Sequence, residues 1–99
     1  MKRIAVIGLG TLGGVLCKNI SEMESIYELI IIDYDYVESK NIHNSIYNAS
    51  QIGETKVDAL KEILKDNVQV IPLNLKYKEG STNLPKCDLV VDCRDIVCD

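Results

Sequence analysis

One junction near the start limits what this chain can fold into: the apolar run Ile4-Ala5-Val6-Ile7 breaks into Gly8-Leu9-Gly10-Thr11-Leu12-Gly13-Gly14. A short continuous apolar run closed by glycine reads as a buried strand. Beyond the glycines, Leu12, Val15, Leu16, Ile20 and Met23 recur at helical spacing, so the glycines form the turn between a strand and an amphipathic helix. G-x-G-x-x-G carries meaning in that context. Gly8 permits the tight turn, Gly10 lets a phosphate approach the backbone, and Gly13 lets helix and strand touch. The free N–H groups and the positive end of the helix dipole then face an anion. Gly8, Gly10, Thr11, Leu12 and Gly13 are therefore candidate nucleotide-binding residues.

The rest of the chain repeats the alternation. Leu29-Ile30-Ile31-Ile32 reads as a second buried strand ending at Asp33, 20 residues past Gly13. A carboxylate at that point can accept ribose hydroxyls. Val57, Leu60, Ile63 and Leu64 share one face of a helix expected over Thr55–Asp66. Val68–Leu75 contains Pro72, which cannot donate to a ladder and so belongs on a sheet edge. Leu89-Val90-Val91 is expected to be a further short buried strand. Strands alternating with helices predict one α/β domain over residues 1–99. With right-handed crossovers it is a Rossmann-like parallel sheet with helices on both faces and strand order 3-2-1-4.

Composition excludes several classes. With 11 Lys+Arg against 15 Asp+Glu, the net charge is −4, and no basic surface for nucleic acid is expected. No apolar run approaches the roughly 18–20 residues of a membrane span. The basic and apolar N-terminus runs into glycines instead of a cleavage site, so the expected location is cytoplasmic. Cys17, Cys87, Cys93 and Cys98 form no C-x-x-C pair, and His43 is the single histidine, so zinc is not indicated. Reduced thiols packed as small hydrophobes are expected, and His43 is expected in a surface loop.

After Asp33 about 22 residues (34–55) precede the second helix, longer than an ordinary structureless loop. This excursion leaves the carboxyl end of a strand, where ligands of open α/β sheets bind. Asp33-Tyr34-Asp35-Tyr36-Val37-Glu38-Ser39-Lys40-Asn41-Ile42 resembles the D-x-D-x-V-x-x-x-N-L stretch of ubiquitin-activating enzymes. Bacterial adenylyltransferases of the ThiF and MoeB type, which serve thiamine and molybdopterin synthesis, share that stretch. Ile52-Gly53-Glu54-Thr55-Lys56-Val57 is similar to the family's I-G-x-x-K-V, and Val91-Asp92-Cys93-Arg94-Asp95 to its V-D-C-T-D. The likeness runs in order from Ile4 to about Asp95.

The resemblance implies activation of a C-terminal carboxylate by attack on the α-phosphate of ATP, giving an acyl-adenylate and pyrophosphate. It implies that Asp33 holds the ribose, that Asn41 and Lys56 contact the triphosphate, and that Asp95 binds Mg²⁺, with Asp35 and Asn44 as further candidate nucleotide-binding residues. Lys56 and Asp95 would then be the catalytic groups. The implied partner is a ubiquitin-like protein, a sulfur carrier or a peptide C-terminus, with a homodimer possible. The 99 residues would be one nucleotide-binding half of the family's adenylation domain. This sequence has Asn44-Ser45 where the family has Arg-Gln, Arg94 where threonine is common, and Ile96 where asparagine follows the metal aspartate. Two other readings remain open on the sequence: a non-catalytic scaffold or partner subunit, and an NAD-binding module.

Overall fold

The computed structural model describes residues 2–94. Asp95, Ile96 and Cys98 lie outside the described residues, as does the side chain of Asn41. In chain order the elements are β1 (Lys2–Ile7), α1 (Thr11–Ser21), β2 (Ile26–Asp33), α2 (Lys56–Leu64), β3 (Gln69–Asn74) and β4 (Leu89–Asp92). Two 3₁₀ turns, Ser39–Asn44 and Ala49–Gln51, lie between β2 and α2. All pairings are parallel, and the sheet order is β3-β2-β1-β4, as the sequence pattern predicts. Pro72 sits on edge strand β3, opposite Ile31 of β2.

Alternate residues of β1 and β2 feed two separate cores. Ile4, Val6, Leu29 and Ile31 pack with Cys17 and Ile20 of α1 and Val57, Leu60 and Leu64 of α2. Ala5, Ile7, Ile30 and Ile32 meet Leu75, Tyr77, Leu84 and Cys87 on the other side. Both described helices therefore lie on one face and not on both as expected, and irregular chain between β3 and β4 covers the other. The cause is topological. Two right-handed crossovers stepping the same way, β1 to β2 to β3, place both helices on one side, and the return to β4 must pass on the other.

The inward face of α1 also differs from the one its apolar spacing predicts. Gly13, Gly14, Cys17, Ile20 and Ser21 are buried, while Leu12 is 70% and Val15 47% exposed. The glycines set this phase. A Cβ on Gly13 would lie 1.8 Å from the Gly8 carbonyl oxygen, so the helix must present its bare position to β1. Gly8 itself adopts φ +88°, a conformation that side chains disfavour. Leu89 and Val90 of β4 are likewise half exposed and not buried, because β4 has a single neighbour among the described strands.

Helix α2 starts one residue inside the expected span. Thr55 caps it, its hydroxyl accepting the Asp58 N–H at 3.2 Å. The long segment before it is ordered and closes on itself. Val37 N–H donates to the Glu54 carbonyl (2.8 Å), Gly53 N–H to the Val37 carbonyl (2.9 Å), and Lys56 N–H to the Asp35 carbonyl (2.9 Å). Buried Val37 and Tyr47 hold the loop to the α1–α2 core.

The glycine contacts generate a paired prediction. Gly13→Ala is expected to lower stability by about 3 kcal/mol or more, because backbone must move to admit the methyl group. Gly10→Ala, where a Cβ meets nothing within 4 Å, is expected to fold with near-normal stability. Urea unfolding of the two variants checks this; equal midpoints would refute it.

Candidate functional site

A cleft of about 890 Å³ opens at the carboxyl ends of the four strands. Its floor is Ile7, Gly8 and Ile32, and one wall is the first turn of α1. That turn has Gly10 as N-cap, no side-chain capping bond and no acidic residue. Its first N–H groups therefore have no side-chain acceptor and lie at the positive end of the dipole.

Asp33 closes β2 at the rim, and its carboxylate is already engaged. Oδ2 accepts the Leu9 N–H at 2.7 Å, while Oδ1 accepts the N–H groups of Tyr34 (2.7 Å) and Asp35 (2.9 Å). The aspartate thus shapes the glycine turn, while Oδ2, with a single donor, keeps lone-pair capacity for a further one. The carbonyl of the same Leu9 accepts from the buried Tyr47 hydroxyl at 2.7 Å. Leu9 is gripped on both sides of its backbone, from β2 and from the long loop. Burial pushes the Tyr47 phenol far above its usual range, so it stays a donor.

Lys56 enters from the first turn of α2. It is one of few buried charged residues, and its ammonium lies 3.9 Å from Asp35 Oδ2. That is ion-pair range but beyond a hydrogen bond. The Asp35 side chain is 60% exposed, so it offers only partial compensation. A lysine with most of its side chain buried and its ammonium beside one distant, solvated partner favours a further anion there.

The far wall comes from segments after β3 and β4. Arg94 Nε and Nη2 donate to the two carboxylate oxygens of Asp92 at 2.9 and 2.6 Å. This fork holds the Asp92 carboxyl below the usual range and raises the guanidinium correspondingly. Cys93 lines the cleft, and burial and then Asp92 raise its thiol pKa. Cys17 lies in the core, where burial first, then Cys93, pushes it up to about 12. Both are neutral thiols, in keeping with a packing role.

The cleft gathers Gly8, Gly10, Thr11, Leu12, Asp33, Asp35 and Lys56 from the sequence-based candidates. Gly13 acts beneath it, as the contact between α1 and β1. Asn44 does not line it: with His43 it borders a separate depression of about 320 Å³ on the outer side of α1, across Val15. Asn41 lies in the first 3₁₀ turn, and Asp95 falls outside the described residues. Tyr34, Leu75, Lys76, Tyr77 and Arg94 line it as well. Periodicity gave no sign of them. The rule that ligands collect at strand carboxyl ends would have found those following β2, β3 and β4.

Sheet order, glycine turn and strand-end carboxylate together define a Rossmann-like α/β domain. The ThiF family matches residues 1–97, and the chain belongs to it. Ubiquitin-like modifier-activating enzyme 5 of Caenorhabditis briggsae is 31% identical over 110 aligned residues, covering 95% of this chain and 25% of that protein. The adenylyltransferase and sulfurtransferase UBA4 of Lodderomyces elongisporus is 32% identical over 99 residues, covering 94% of this chain and 22% of its own length. The chain thus spans about a quarter of the curated relatives it matches. In fold it is similar to E. coli tRNA N6-threonylcarbamoyladenosine dehydratase, TcdA, in complex with ATP. That likeness has a TM-score of 0.82 at 20% identity, over 97% of this chain and 42% of that one. It is also similar to E. coli MccB with ATP, at TM-score 0.79 and 20% identity, over 90% and 28% of the respective chains.

The grip on Leu9 is directly testable. Tyr47→Phe leaves the Leu9 carbonyl without its buried donor and is expected to lower unfolding free energy by about 1–2 kcal/mol. Chemical denaturation measures it, and an unchanged midpoint would show that the hydroxyl does not hold the turn.

Proposed function

We propose that this chain is the nucleotide-binding part of an ATP-dependent adenylyltransferase, with residues 1–99 forming that single domain. The observation that carries the reading is the incompletely paired Lys56, most of its side chain buried, opening on the same cleft as the uncapped N-terminus of α1. Two independent sources of positive potential converge there, as a polyphosphate requires. The triphosphate lies along Gly10, Thr11 and Lys56, with Gly8, Leu12 and Gly13 shaping the turn. The ribose hydroxyls meet Asp33, beside Asp35.

In the reaction, a carboxylate oxygen of the acceptor attacks the α-phosphorus of ATP. The bond to the bridging oxygen breaks, and pyrophosphate leaves with the negative charge. The helix N-terminus and Lys56 stabilise that charge without moving a proton. Mg²⁺ belongs to this reading as an ion borne by the phosphates. Among the described residues no group of three or more His, Cys, Asp or Glu could hold a metal, which suits an ion that needs one or two carboxylates plus phosphate oxygens. Asp95 is the carboxylate assigned to it by resemblance, and Asn41 a further phosphate contact.

The acceptor is a protein or peptide C-terminus, in keeping with relatives named as ubiquitin-like modifier-activating enzyme and as adenylyltransferase and sulfurtransferase. No helix of the described chain is long and apolar enough to cross a membrane, and we place the reaction in the cytoplasm. Asn44, outside the cleft and lacking an arginine's charge, favours a second reading: a partner subunit that binds nucleotide without adenylating. A second copy of the chain in a homodimer is one source of the absent cation.

Calorimetry with ATP and Mg²⁺ tests the binding step. Lys56→Met keeps the aliphatic stem and removes the charge. It is expected to weaken ATP about 10–100-fold, the range of one charge-assisted contact. Micromolar NAD binding without ATP binding would overturn the proposal. ATP–pyrophosphate exchange by the chain with an acceptor separates the enzyme from the partner subunit.

A further inference from the structure

The wall formed by Tyr77 and Arg94 has no part in the reading above, on which the following rests. Tyr77 lies outside the motifs that carry the family resemblance, and Arg94 stands in the last of them where the family commonly has threonine. Arg94 starts from a fixed point: a Cβ on Gly8 would lie 2.8 Å from the Arg94 backbone nitrogen, so its backbone nests on the glycine turn. Its guanidinium is fixed as well. Asp92 takes Nε and Nη2, the Tyr77 carbonyl accepts from Nη1 at 3.2 Å, and Cζ lies 5.3 Å from the centroid of the Tyr77 ring.

These contacts orient the plane and lay one face over the tyrosine. The side chain is still 41% exposed and lines the cleft, so part of it is open to a ligand. Charge matching separates its task from that of Lys56. The Arg94 cation is neutralised by a two-pronged carboxylate contact, whereas Lys56 has one distant, exposed partner. With phosphates at the α1 N-terminus and ribose at Asp33, the third part of a nucleotide faces the wall after β3 and β4. Next to Tyr77 in the chain, Lys76 has its Nζ 5.6 Å from the Tyr34 ring centroid, a second cation–aromatic pair.

We infer that Arg94, held over the Tyr77 ring by Asp92, is the platform on which the nucleobase stacks, and that it gives the site a preference for purines. A planar cation stacks any base through its π-face, and the larger purine ring covers more of it.

Calorimetry on the 99-residue chain with ATP, UTP and inorganic tripolyphosphate decides the matter. Arg94→Ala is expected to weaken ATP about tenfold, the scale of one lost stacking partner. It should narrow the ATP-over-UTP preference and leave tripolyphosphate binding unchanged. Arg94→Lys, which keeps charge without the plane, is expected to follow the alanine variant. Retained circular dichroism and urea midpoint confirm that both variants fold. An equal loss for tripolyphosphate, or rescue by lysine, would make Arg94 a phosphate cation and overturn the assignment. ATP affinity unmoved in both variants would overturn it as well, leaving the nucleotide reading intact. If the unsubstituted chain binds tripolyphosphate but no nucleotide, or binds nothing, the nucleotide reading itself fails and the platform with it.

Discussion

The carbonyl of Gly8 and the bare Cα of Gly13 meet where a Cβ would be only 1.8 Å from the oxygen. No rotamer relieves such an overlap, because it involves the first side-chain atom. Contact at this distance sets how closely α1 approaches β1 and which of its faces turns inward. The helix N-terminus is thereby held over the strand ends, and Leu12 and Val15 are turned out toward the cleft instead of into the core. Gly8 serves a second neighbour too, since Arg94 nests on its other side. One turn therefore fixes two walls of the cleft.

Charge in the cleft is distributed by how completely each group is matched. Asp33 accepts three backbone N–H groups and Arg94 is forked onto Asp92, so both are rigid before any ligand arrives. Lys56 is different, with most of its surface buried and a single ion pair near the outer limit of contact. Preorganised partners surround one incompletely matched cation. Such a site gains most from an incoming anion, because little reorganisation accompanies binding.

Much of this was legible in the sequence. The strand–glycine–helix junction, the order 3-2-1-4 and the edge position of Pro72 follow from period and turn chemistry, which are local. The inward face of α1 was not. Leu12 and Val15 keep helical spacing because they line a cleft, and an apolar cleft residue has the same pattern as a core residue. β4 misled similarly: Leu89-Val90-Val91 reads as buried, yet its exposure depends on how many strands flank it, which no window of sequence encodes. The wall at Lys76, Tyr77 and Arg94 is assembled by the chain's return across the second face, so no spacing announces it. Asn44 stands where the family has arginine, yet it lies beyond Val15 from the cleft.

The long segment after β2 raised the question of whether it is scaffolding or part of the site, and its hydrogen bonds make it both. Closing a loop of this length carries an entropic cost that grows only slowly with its size. Burial of Val37 and Tyr47 and the bridge between Tyr36 and Thr55 offset it. That bridge also returns the chain to its starting point, so Lys56 arrives beside Asp35, within two residues of Asp33. Midway along, the Tyr47 hydroxyl reaches the carbonyl of Leu9, whose N–H is held by Asp33. The glycine turn is thus gripped from the strand end and from the middle of the loop that departs from it. Loosening either grip shifts the helix N-terminus relative to Lys56, and the convergence of those two positive groups is what the cleft has to offer a polyphosphate.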